Sequence, residues 1–479
     1  MRLKPGILGT LLALALLPSV CRSVFAYSLL THEQLIDLSW KDSIVPLLLS
    51  RYPGLSPQQL DEARAYAYGG CVIQDIGYYP FGDASFSNLT HYVRSGDFVV
   101  SLFRNAHNAN ELAFAIGALS HYVGDSIGHS QATNLAVPIE FPQLGARFGP
   151  QVSYAEGKHQ HVQTEFAFDI NEIAHHRFAP LRYLRHIGLQ VPVKQLALAY
   201  YQTYGLTEDF SVARGRRFNV RAYRFATRTF IPRIAYAVTL LHRSHEPVDP
   251  GTPEAVEIHK QAAEVAVENN WQLYRGKAGI GTYTLAGLFF ILPKFGPLKM
   301  VAVKGPSADT EADYTRSVAH SEAILHHMLV RFTPPANSNS TPAIHPSGDP
   351  ASSSSLAQSS TSPIPSAVDD LRSNDPHHPL PNRDLDTGHI VQPGGYSLTD
   401  STYADLLHRI TRKPDQAIPP GIKQDIEAYY ANPSLPITTR KDPAAWSQVQ
   451  ADLVILAKMT TSTEPEPYPT YGDDAAVSQ

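Results

Sequence analysis

Cysteine is nearly absent from this chain, which has only Cys21 and Cys71 among its 479 residues. Cys21 lies in an N-terminal segment that we expect to be removed, so the mature protein would keep a single cysteine. One cysteine excludes an intramolecular disulfide. Bound metal ions would have to provide any comparable cross-link between parts of the fold.

An excess of positive charge is also missing. The 39 basic and 44 acidic side chains give a formal net charge of -5. Proteins that bind nucleic acid without sequence preference usually carry a basic field, because the phosphate backbone is uniformly negative. The charge therefore counts against a duplex-DNA-binding protein.

Internal apolar runs long enough to cross a membrane are missing as well. A spanning helix needs about 20 apolar residues. The most apolar internal stretch, Gly279 to Val303, is interrupted by two prolines and two lysines, so we expect no transmembrane helix there. The stretch is interpreted either as a buried hydrophobic segment or as a rim that contacts a membrane surface.

The N-terminus has the three parts of a secretory signal peptide, predicted to span residues 1–26. Arg2 and Lys4 form the basic start, the run from Gly6 to Val20 is apolar, and Val24-Phe-Ala26 resembles a cleavage site. The apolar run is short for a membrane span. We therefore expect a mature chain that begins at Tyr27 and is secreted or periplasmic.

The rest of the chain divides by composition into four parts. Residues 27–334 show helical periodicity, for example from Glu111 to His129 and from Val193 to Tyr204, and the fold class is therefore mainly α. Residues 335–381 are rich in serine and proline, which predicts a disordered linker. Residues 382–459 regain apolar content and predict a small accessory helical unit. The acidic tail, residues 460–479, is also predicted to be disordered.

Histidine, in contrast, is abundant, with 21 residues, and it is the commonest zinc ligand. His121, Asp125 and His129 are spaced four residues apart, which places them on one stripe of a helix. His121 and Asp125 are one turn apart and can bind the same ion. His129 lies about 12 Å along the axis from His121, so it must serve another ion, and Asp125 can bridge the two.

A second pair, His161 and Glu165, repeats the four-residue spacing with an imidazole and a carboxylate, both good zinc donors. His159 competes with His161, since either can be presented by the start of the same helix, and Glu165 favours His161. Four further candidate ligands precede the stripe in sequence: Tyr27, His32, Asp75 and His91.

Three segments resemble the zinc-dependent phospholipase C family, which shares its helical fold and trinuclear zinc site with the S1/P1 nucleases. They are Tyr-Ser-Leu-Leu-Thr-His32, Gly-Ala-Leu-Ser-His-Tyr-Val-Gly-Asp125 and the His161-x-x-x-Glu165 pair. The resemblance covers roughly Tyr27 to Phe178. It implies a multi-helix domain of the phospholipase C and P1 nuclease type that binds three zinc ions.

The same resemblance implies the ligands of each ion. The first zinc would be held by Asp75, His91, His121 and Asp125, the second by His129, His161 and Glu165, and the third by Tyr27, His32 and Asp125. Tyr27 would bind through its amino and carbonyl groups, as the first residue of the mature chain. Asp75 would in addition accept a proton during catalysis.

One spacing departs from the family pattern. Three residues separate Asp125 from His129, fewer than is usual in bacterial phospholipases C and the nucleases. The shorter spacing resembles glycosylphosphatidylinositol-specific phospholipase D, which leaves the cleaved bond open. Tyr27 also stands where the nucleases begin with tryptophan.

The activity indicated is zinc-dependent, phospholipase C-type hydrolysis of phospholipids, with contact to a membrane surface and no inferred protein partner. Phospholipase D-type cleavage and an S1/P1-like single-strand nuclease are alternatives, and only the nuclease would have nucleic acid as a partner. A non-enzymatic alternative is a zinc-stabilised binding protein. An open coordination position would favour an enzyme, since structural zinc sites are closed.

The tripeptide Asp386-Thr-Gly388 matches the short signature of aspartic proteases. It occurs once, follows the predicted linker and lacks flanking apolar strands. We therefore assign it no proteolytic role.

Overall fold

A computed structural model gives the structure of the protein and describes residues 29–78, 82–208, 210, 220–242, 245–276, 279–291, 303, 305–331 and 378–462. Within these ranges the chain is built from helices, without a β-strand; two isolated bridges pair Arg383 with Ile390 and Ile418 with Thr461. The predicted mainly α fold class is confirmed.

The helices before residue 205 include those that carry the candidate ligands. They are α1 (Leu29–Ser39), α2 (Val45–Arg51), α3 (Pro57–Gly70), α4 (Ala84–Tyr92), α5 (Ser95–Arg104), α6 (Ala109–Gly128), α7 (Asn134–Glu140), α8 (Pro142–Phe148), α9 (Tyr154–Ala174), α10 (Leu181–Ile187) and α11 (Val193–Tyr204). Short π-helical turns, Trp40–Ile44 and His129–Thr133, follow α1 and α6, and a 3-10 turn covers Gln74–Gly77.

The later helices complete the body. They are α12 (Val220–Phe225), α13 (Ile231–His242), α14 (Pro253–Glu268), α15 (Trp271–Tyr274), α16 (Ile280–Ile291), α17 (Ala308–Arg331), α18 (Ser397–Thr411), α19 (Pro420–Tyr430) and α20 (Pro443–Lys458). A π-helical turn, Ala226–Phe230, joins α12 to α13, and a 3-10 turn, Thr438–Lys441, precedes α20. The helical patterns predicted within Glu111 to His129 and Val193 to Tyr204 are thus confirmed.

Local sequence explains where the ligand-bearing helices begin. Asn108 caps α6, because its side chain accepts a hydrogen bond from the backbone N–H of Glu111. Ser153 and Glu156 form a capping box at the start of α9. These caps fix the first turn of each helix. In α9 the backbone is non-helical at Gly157, with φ of -144° and ψ of 54°, so His161 and Glu165 lie on the regular part of the helix that follows this kink.

Helices α3 and α6 approach each other closely because glycines line their contact. A Cβ added to Gly117 would lie 2.2 Å from the carbonyl oxygen of Ala67, and one added to Gly70 would lie 2.0 Å from that of Phe114. No real side chain tolerates such contacts with backbone. The close approach brings Cys71, which follows α3, beside His121 of α6.

One hydrophobic core runs through both ends of the described chain. Leu119 of α6 and Phe86 of α4 are buried in the same cluster as Leu385, Tyr403 and Ile422 of the C-terminal part. Residues 378–462 therefore pack as part of the same body as the helices before them. The domain boundaries inferred from composition stay predictions.

The predicted signal peptide, most of the predicted linker and nearly all of the predicted tail lie outside the described residues. The last four linker residues, 378–381, are described and lie against α5 and α6. His378 Nδ1 lies 2.7 Å from Asp97 Oδ1, Leu380 is buried, and the Pro381 carbonyl accepts a hydrogen bond from Tyr122. These four residues of the predicted linker therefore pack against the helical body.

The apolar stretch from Gly279 to Val303 forms α16 over its first half. Leu285 and Phe289 are buried in the core, whereas Ile280, Phe290 and Ile291 are exposed. None of the helices in the described ranges is both long enough and apolar enough to span a bilayer.

Candidate metal centre

All the candidate ligands that the structure describes are buried in one region of the helical body. Each is at most 2% exposed, and the set comprises His32, Asp75, His91, His121, Asp125, His129, His161 and Glu165. Tyr27, the ninth candidate, lies outside the described residues. Imidazoles and carboxylates are rarely buried in such numbers unless they bind each other or a metal.

Four candidate ligands from different elements meet around the Nε2 atoms of His91 and His121. The Nε2 atom of His91 lies 3.3 Å from Asp75 Oδ1, 3.3 Å from Asp125 Oδ2 and 3.4 Å from His121 Nε2, and His121 Nε2 lies 3.1 Å from Asp125 Oδ2. Ligand atoms held tetrahedrally at about 2.0–2.1 Å from zinc are about 3.3–3.4 Å apart. The four measured distances are therefore close to those between ligands of one ion, and Asp75, His91 and His121 together form one of the clusters able to hold a metal.

His32 of α1 meets the other oxygen of Asp125. Its Nε2 atom lies 3.2 Å from Asp125 Oδ1, and its ring stacks on that of His121 with the centroids 4.2 Å apart. Asp125 thus presents Oδ2 to His91 and His121 and Oδ1 to His32. This is the arrangement that a carboxylate bridging two ions requires.

A separate group joins the end of α6 to α9. His161 Nε2 lies 2.8 Å from Glu165 Oε1, and His129 Nε2 lies 3.8 Å from the same oxygen. These three residues form one of the clusters able to hold a metal. His159, the competitor of His161, is exposed and does not join the cluster.

His121, Asp125 and His129 belong to two different groups of candidate ligands, as their spacing along a helix predicts. His121 and Asp125 lie on α6, and His129 opens the π-helical turn that continues it. His129 faces His161, with the ring centroids 4.9 Å apart. Asp75 comes from the 3-10 turn after α3, and His91 from the last turn of α4.

Backbone carbonyls orient three of the imidazole rings. The Nδ1 atoms of His91, His121 and His129 lie 2.7, 3.0 and 3.2 Å from the carbonyl oxygens of Ser87, Cys71 and Asp386. Because a carbonyl can only accept, the proton must reside on Nδ1. In the neutral ring, Nε2 then carries the free electron pair, directed into the cluster, which is the form that binds zinc.

With this geometry in place, comparison with protein families identifies part of the chain. Residues 31–208 match the family model of zinc-dependent phospholipase C. The family predicted from sequence motifs is confirmed for this segment, which we call the phospholipase C segment. Comparison with curated proteins and with solved structures gave no match.

The phospholipase C segment contains every described candidate ligand, and two of the carboxylates among them, Asp75 and Glu165, lack hydrogen-bond donors. Both carboxylate oxygens of Asp75 and both of Glu165 accept no hydrogen bond. Burial, and then the negative charge of Asp125, raises the pKa of Glu165 well above its ordinary value. A divalent cation would satisfy these oxygens and offset the repulsion.

Asp125 has the opposite electrostatic environment. Burial by itself would raise its pKa, but the charge of His121 and hydrogen bonds with His121, His32 and His91 hold it well below the usual range. Burial, followed by the charge of His129, lowers the pKa of His161. An ionised Asp125 and a neutral His161 are the protonation states that metal ligands need.

One part of the site was not predicted from the sequence, and it comes from outside the phospholipase C segment. Asp386 is completely buried beside His129, although the sequence assigns it no role. No local spacing could have revealed this contact, because 257 positions separate the two residues. Asp386 is not preceded and followed by strands, in agreement with the rejected protease signature.

Proposed function

We propose that the protein is an exported zinc-dependent phosphodiesterase that hydrolyses phospholipids by phospholipase C-type cleavage at a trinuclear zinc centre. The close approach of Asp75, His91, His121 and Asp125, within a segment that matches the zinc-dependent phospholipase C family, carries this proposal. The predicted signal peptide supports export.

Three groups of residues would hold the ions. Asp75, His91, His121 and Asp125 form the first group, His129, His161 and Glu165 the second, and Tyr27, His32 and Asp125 the third. The second group offers three protein ligands, and tetrahedral zinc needs a fourth. The open position would belong to water or substrate, as in catalytic sites, which favours an enzyme over a zinc-stabilised binding protein.

When bound, zinc supplies Lewis acidity to the phosphodiester oxygens and an activated water at neutral pH. The chain's own residues set the geometry. Asp125 presents one oxygen to each of two neighbouring groups, and the carbonyls of Ser87 and Cys71 hold His91 and His121 in the ligand tautomer. Burial of the whole set strengthens each electrostatic contact.

Asp75 is the residue we assign to proton transfer. One of its oxygens lies 3.3 Å from His91 Nε2, and neither accepts a hydrogen bond. One oxygen can therefore bind metal while the other accepts the proton of the attacking water. In C-type cleavage the water oxygen bonds to phosphorus and the phosphorus–oxygen bond to glycerol breaks. The glycerol oxygen takes up a proton, so that the products are diacylglycerol and the phosphorylated head group.

D-type cleavage is the alternative that the short Asp125 to His129 spacing supports. The bond to the head-group alcohol would then break, and phosphatidate would be the product. Product analysis separates the two activities, since diacylglycerol and phosphatidate differ by a phosphate.

The deciding experiment incubates the mature, zinc-loaded protein with vesicles of mixed phospholipids and identifies the lipid products. Zinc-dependent release of diacylglycerol would support the proposal, and phosphatidate would establish the D-type alternative. A chelated sample and Asp75→Asn are the controls. A parallel incubation contains single-stranded DNA. Cleavage of that DNA, together with intact lipid in the vesicle sample, would instead identify a nuclease.

The third ion gives a separate test, because Tyr27 would bind it through its free amino group. One extra residue left before Tyr27 removes that amine from the ligand position. We expect such a variant to bind one zinc fewer and to keep its helical circular dichroism. Unchanged zinc content and activity would remove Tyr27 from the ligand set.

A further inference from the structure

A loop from the C-terminal part lies behind the elements that carry three candidate ligands. We call residues 383–391 the Asp386 loop. The backbone N–H of Leu385 donates to the carbonyl of His91, and the carbonyl of Asp386 accepts from both His129 Nδ1 and Asn134 Nδ2, at 3.2 and 2.7 Å. The loop thus contacts the end of α4 and the π-helical turn directly.

The loop also packs tightly on α6. Gly388 has φ of +72°, and an added Cβ would lie 2.4 Å from the carbonyl oxygen of Ser126, the neighbour of Asp125. Asp384 accepts hydrogen bonds from the backbone N–H groups of Asp386 and Thr387, at 3.0 and 3.2 Å. Hydrogen bonds within the loop therefore stabilise its conformation, in addition to its contacts with the candidate metal centre.

The side chain of Asp386 is held with one oxygen toward His129. Its Oδ2 accepts hydrogen bonds from the hydroxyls of Tyr92 and Tyr396, at 2.9 and 2.7 Å. Its Oδ1 accepts no hydrogen bond and lies 3.6 Å from His129 Nδ1. Burying a carboxylate with an unsatisfied oxygen costs free energy, so the arrangement needs a compensating interaction.

We propose that Asp386 is a positioning residue of the zinc centre, which holds and polarises the His129 ring from the side opposite the metal. The inference rests on the proposed zinc centre. The carbonyl of Asp386 fixes the tautomer of His129, and the adjacent negative charge strengthens electron donation from Nε2. Carboxylates behind a ligating histidine are a recurrent support of zinc sites, and their loss weakens metal binding about 10–100-fold.

A positioning role differs from a merely structural one in what it changes. If Asp386 only anchors the loop through the two tyrosine hydroxyls, then its substitution lowers stability and leaves zinc affinity intact. If it positions His129, then the ion held by His129, His161 and Glu165 is bound more weakly, and the ion held by Asp75 and His91 is unaffected.

The test measures zinc affinity in the full mature chain by competition with a chromophoric chelator, for the wild type and for Asp386→Asn. Asparagine keeps the volume and the backbone carbonyl but removes the charge. We expect one zinc to bind at least about tenfold more weakly, with the others unchanged. Cobalt substitution gives a second readout, since the absorption of the altered site should shift.

Asp452→Asn is the matched control. Asp452 is a buried carboxylate of the same C-terminal part, accepts a hydrogen bond from Thr411 at 2.8 Å and has no contact with the candidate ligands. Its substitution should leave every zinc affinity unchanged. Equal weakening by Asp452→Asn would show a general loosening of the C-terminal part and would overturn the inference.

A second variant, Tyr396→Phe, covers the case in which Asp386→Asn does not fold. It removes one hydroxyl from Oδ2 and leaves the charge in place, so we expect a smaller loss at the same zinc. If folded Asp386→Asn, or Tyr396→Phe in its place, binds every zinc with wild-type affinity, then a positioning role is contradicted. A wild-type protein that binds no zinc would instead overturn the metal centre itself.

Discussion

The phospholipase C segment and the C-terminal part differ in how they contribute to the candidate centre. Residues 31–208 supply every described candidate ligand, whereas residues 378–462 supply none of them. The C-terminal part nevertheless contacts the backbone of His91 and the ring of His129, and it shares the core of the ligand-bearing helices. The candidate ligands and the residues that support them thus come from distant parts of one chain.

The largest effect is expected at Asp125, whose two carboxylate oxygens face different candidate ligands. Asp125→Asn removes the charge that bridges His32 on one side and His91 and His121 on the other. Substitution of a residue that only supports a zinc ligand typically lowers metal affinity or activity about 10–100-fold. Asp125 is itself a candidate ligand, so we expect the rate of hydrolysis to fall by more than about 100-fold. The measurement is the rate of lipid hydrolysis together with zinc content.

Asp405→Asn is the control for this substitution, because the side chain of Asp405 is 44% exposed and pairs with Arg409 one turn away. It should keep full activity and zinc. If Asp125→Asn also retained full activity and zinc content, then the role of Asp125 as a shared ligand would be contradicted.

The scaffold of the phospholipase C segment can be broken without touching a ligand. Gly117→Ala places a methyl group 2.2 Å from the carbonyl of Ala67, so α3 and α6 must separate. Such overpacking costs about 1–3 kcal/mol, and more where backbone opposes it. The check is the free energy of unfolding in urea.

Gly287→Ala is the matched control, since a Cβ added there meets no atom within 4 Å. It should unfold at the wild-type urea concentration or above. Because the carbonyl of Cys71 orients His121, weaker zinc binding should accompany the loss of stability only in Gly117→Ala. Equal stability of the two variants would contradict the role assigned to close helix packing.

The junction between the two regions contains a pH-dependent contact. Burial would raise the pKa of Asp97, but the charge of Arg94 and the hydrogen bond with His378 hold it at about 2, below its ordinary value. Because the pKa is depressed in the fold, the stabilisation is present above about pH 4 and is lost as the pH falls through about 2. It amounts to about 2 kcal/mol.

Asp97→Asn should therefore lower the free energy of unfolding by about 2 kcal/mol at pH 7. The difference from the wild type should stay constant down to about pH 4 and shrink below it. Urea unfolding of the metal-free proteins, measured from pH 7 to pH 3, separates this contact from acid release of zinc. A difference that grows as the pH falls would contradict the sign of the shift.

The smallest effect is expected at a single hydrogen bond across the junction. The Tyr122 hydroxyl of α6 donates to the carbonyl of Pro381 at 2.7 Å, and Tyr122 is fully buried. Tyr122→Phe should cost about 1 kcal/mol of unfolding free energy, with unchanged zinc content. Tyr283→Phe, at an exposed position of α16, should change neither quantity.

Much of the ligand-bearing region could be predicted from the sequence because its patterns are local. Four-residue spacing puts His121 and Asp125 on one helical turn and His161 beside Glu165, and both pairs lie close together in the structure. The separation of His129 from His121 also followed from helix geometry, since the rise of a helix is fixed.

The extent of the C-terminal part was less predictable. Composition places the end of the linker at residue 381, yet residues 378–381 lie against α5 and α6. Serine- and proline-rich composition indicates that a segment cannot fold by itself. It contains no information about a surface elsewhere in the protein on which the segment can pack. The role of Asp386 was unpredictable for the same reason.

The sequence by itself determined the helical fold class, the resemblance of roughly Tyr27 to Phe178 to zinc-dependent phospholipase C and the residue types able to bind zinc, because helix period and motif spacing are short-range properties. Tertiary structure alone decided that Asp75 and His91 meet His121, that His161 rather than exposed His159 faces His129, and that Asp386 lies behind that ring. Such contacts join residues that no period connects, and they arise only when glycine-lined helices and a shared core bring distant segments together.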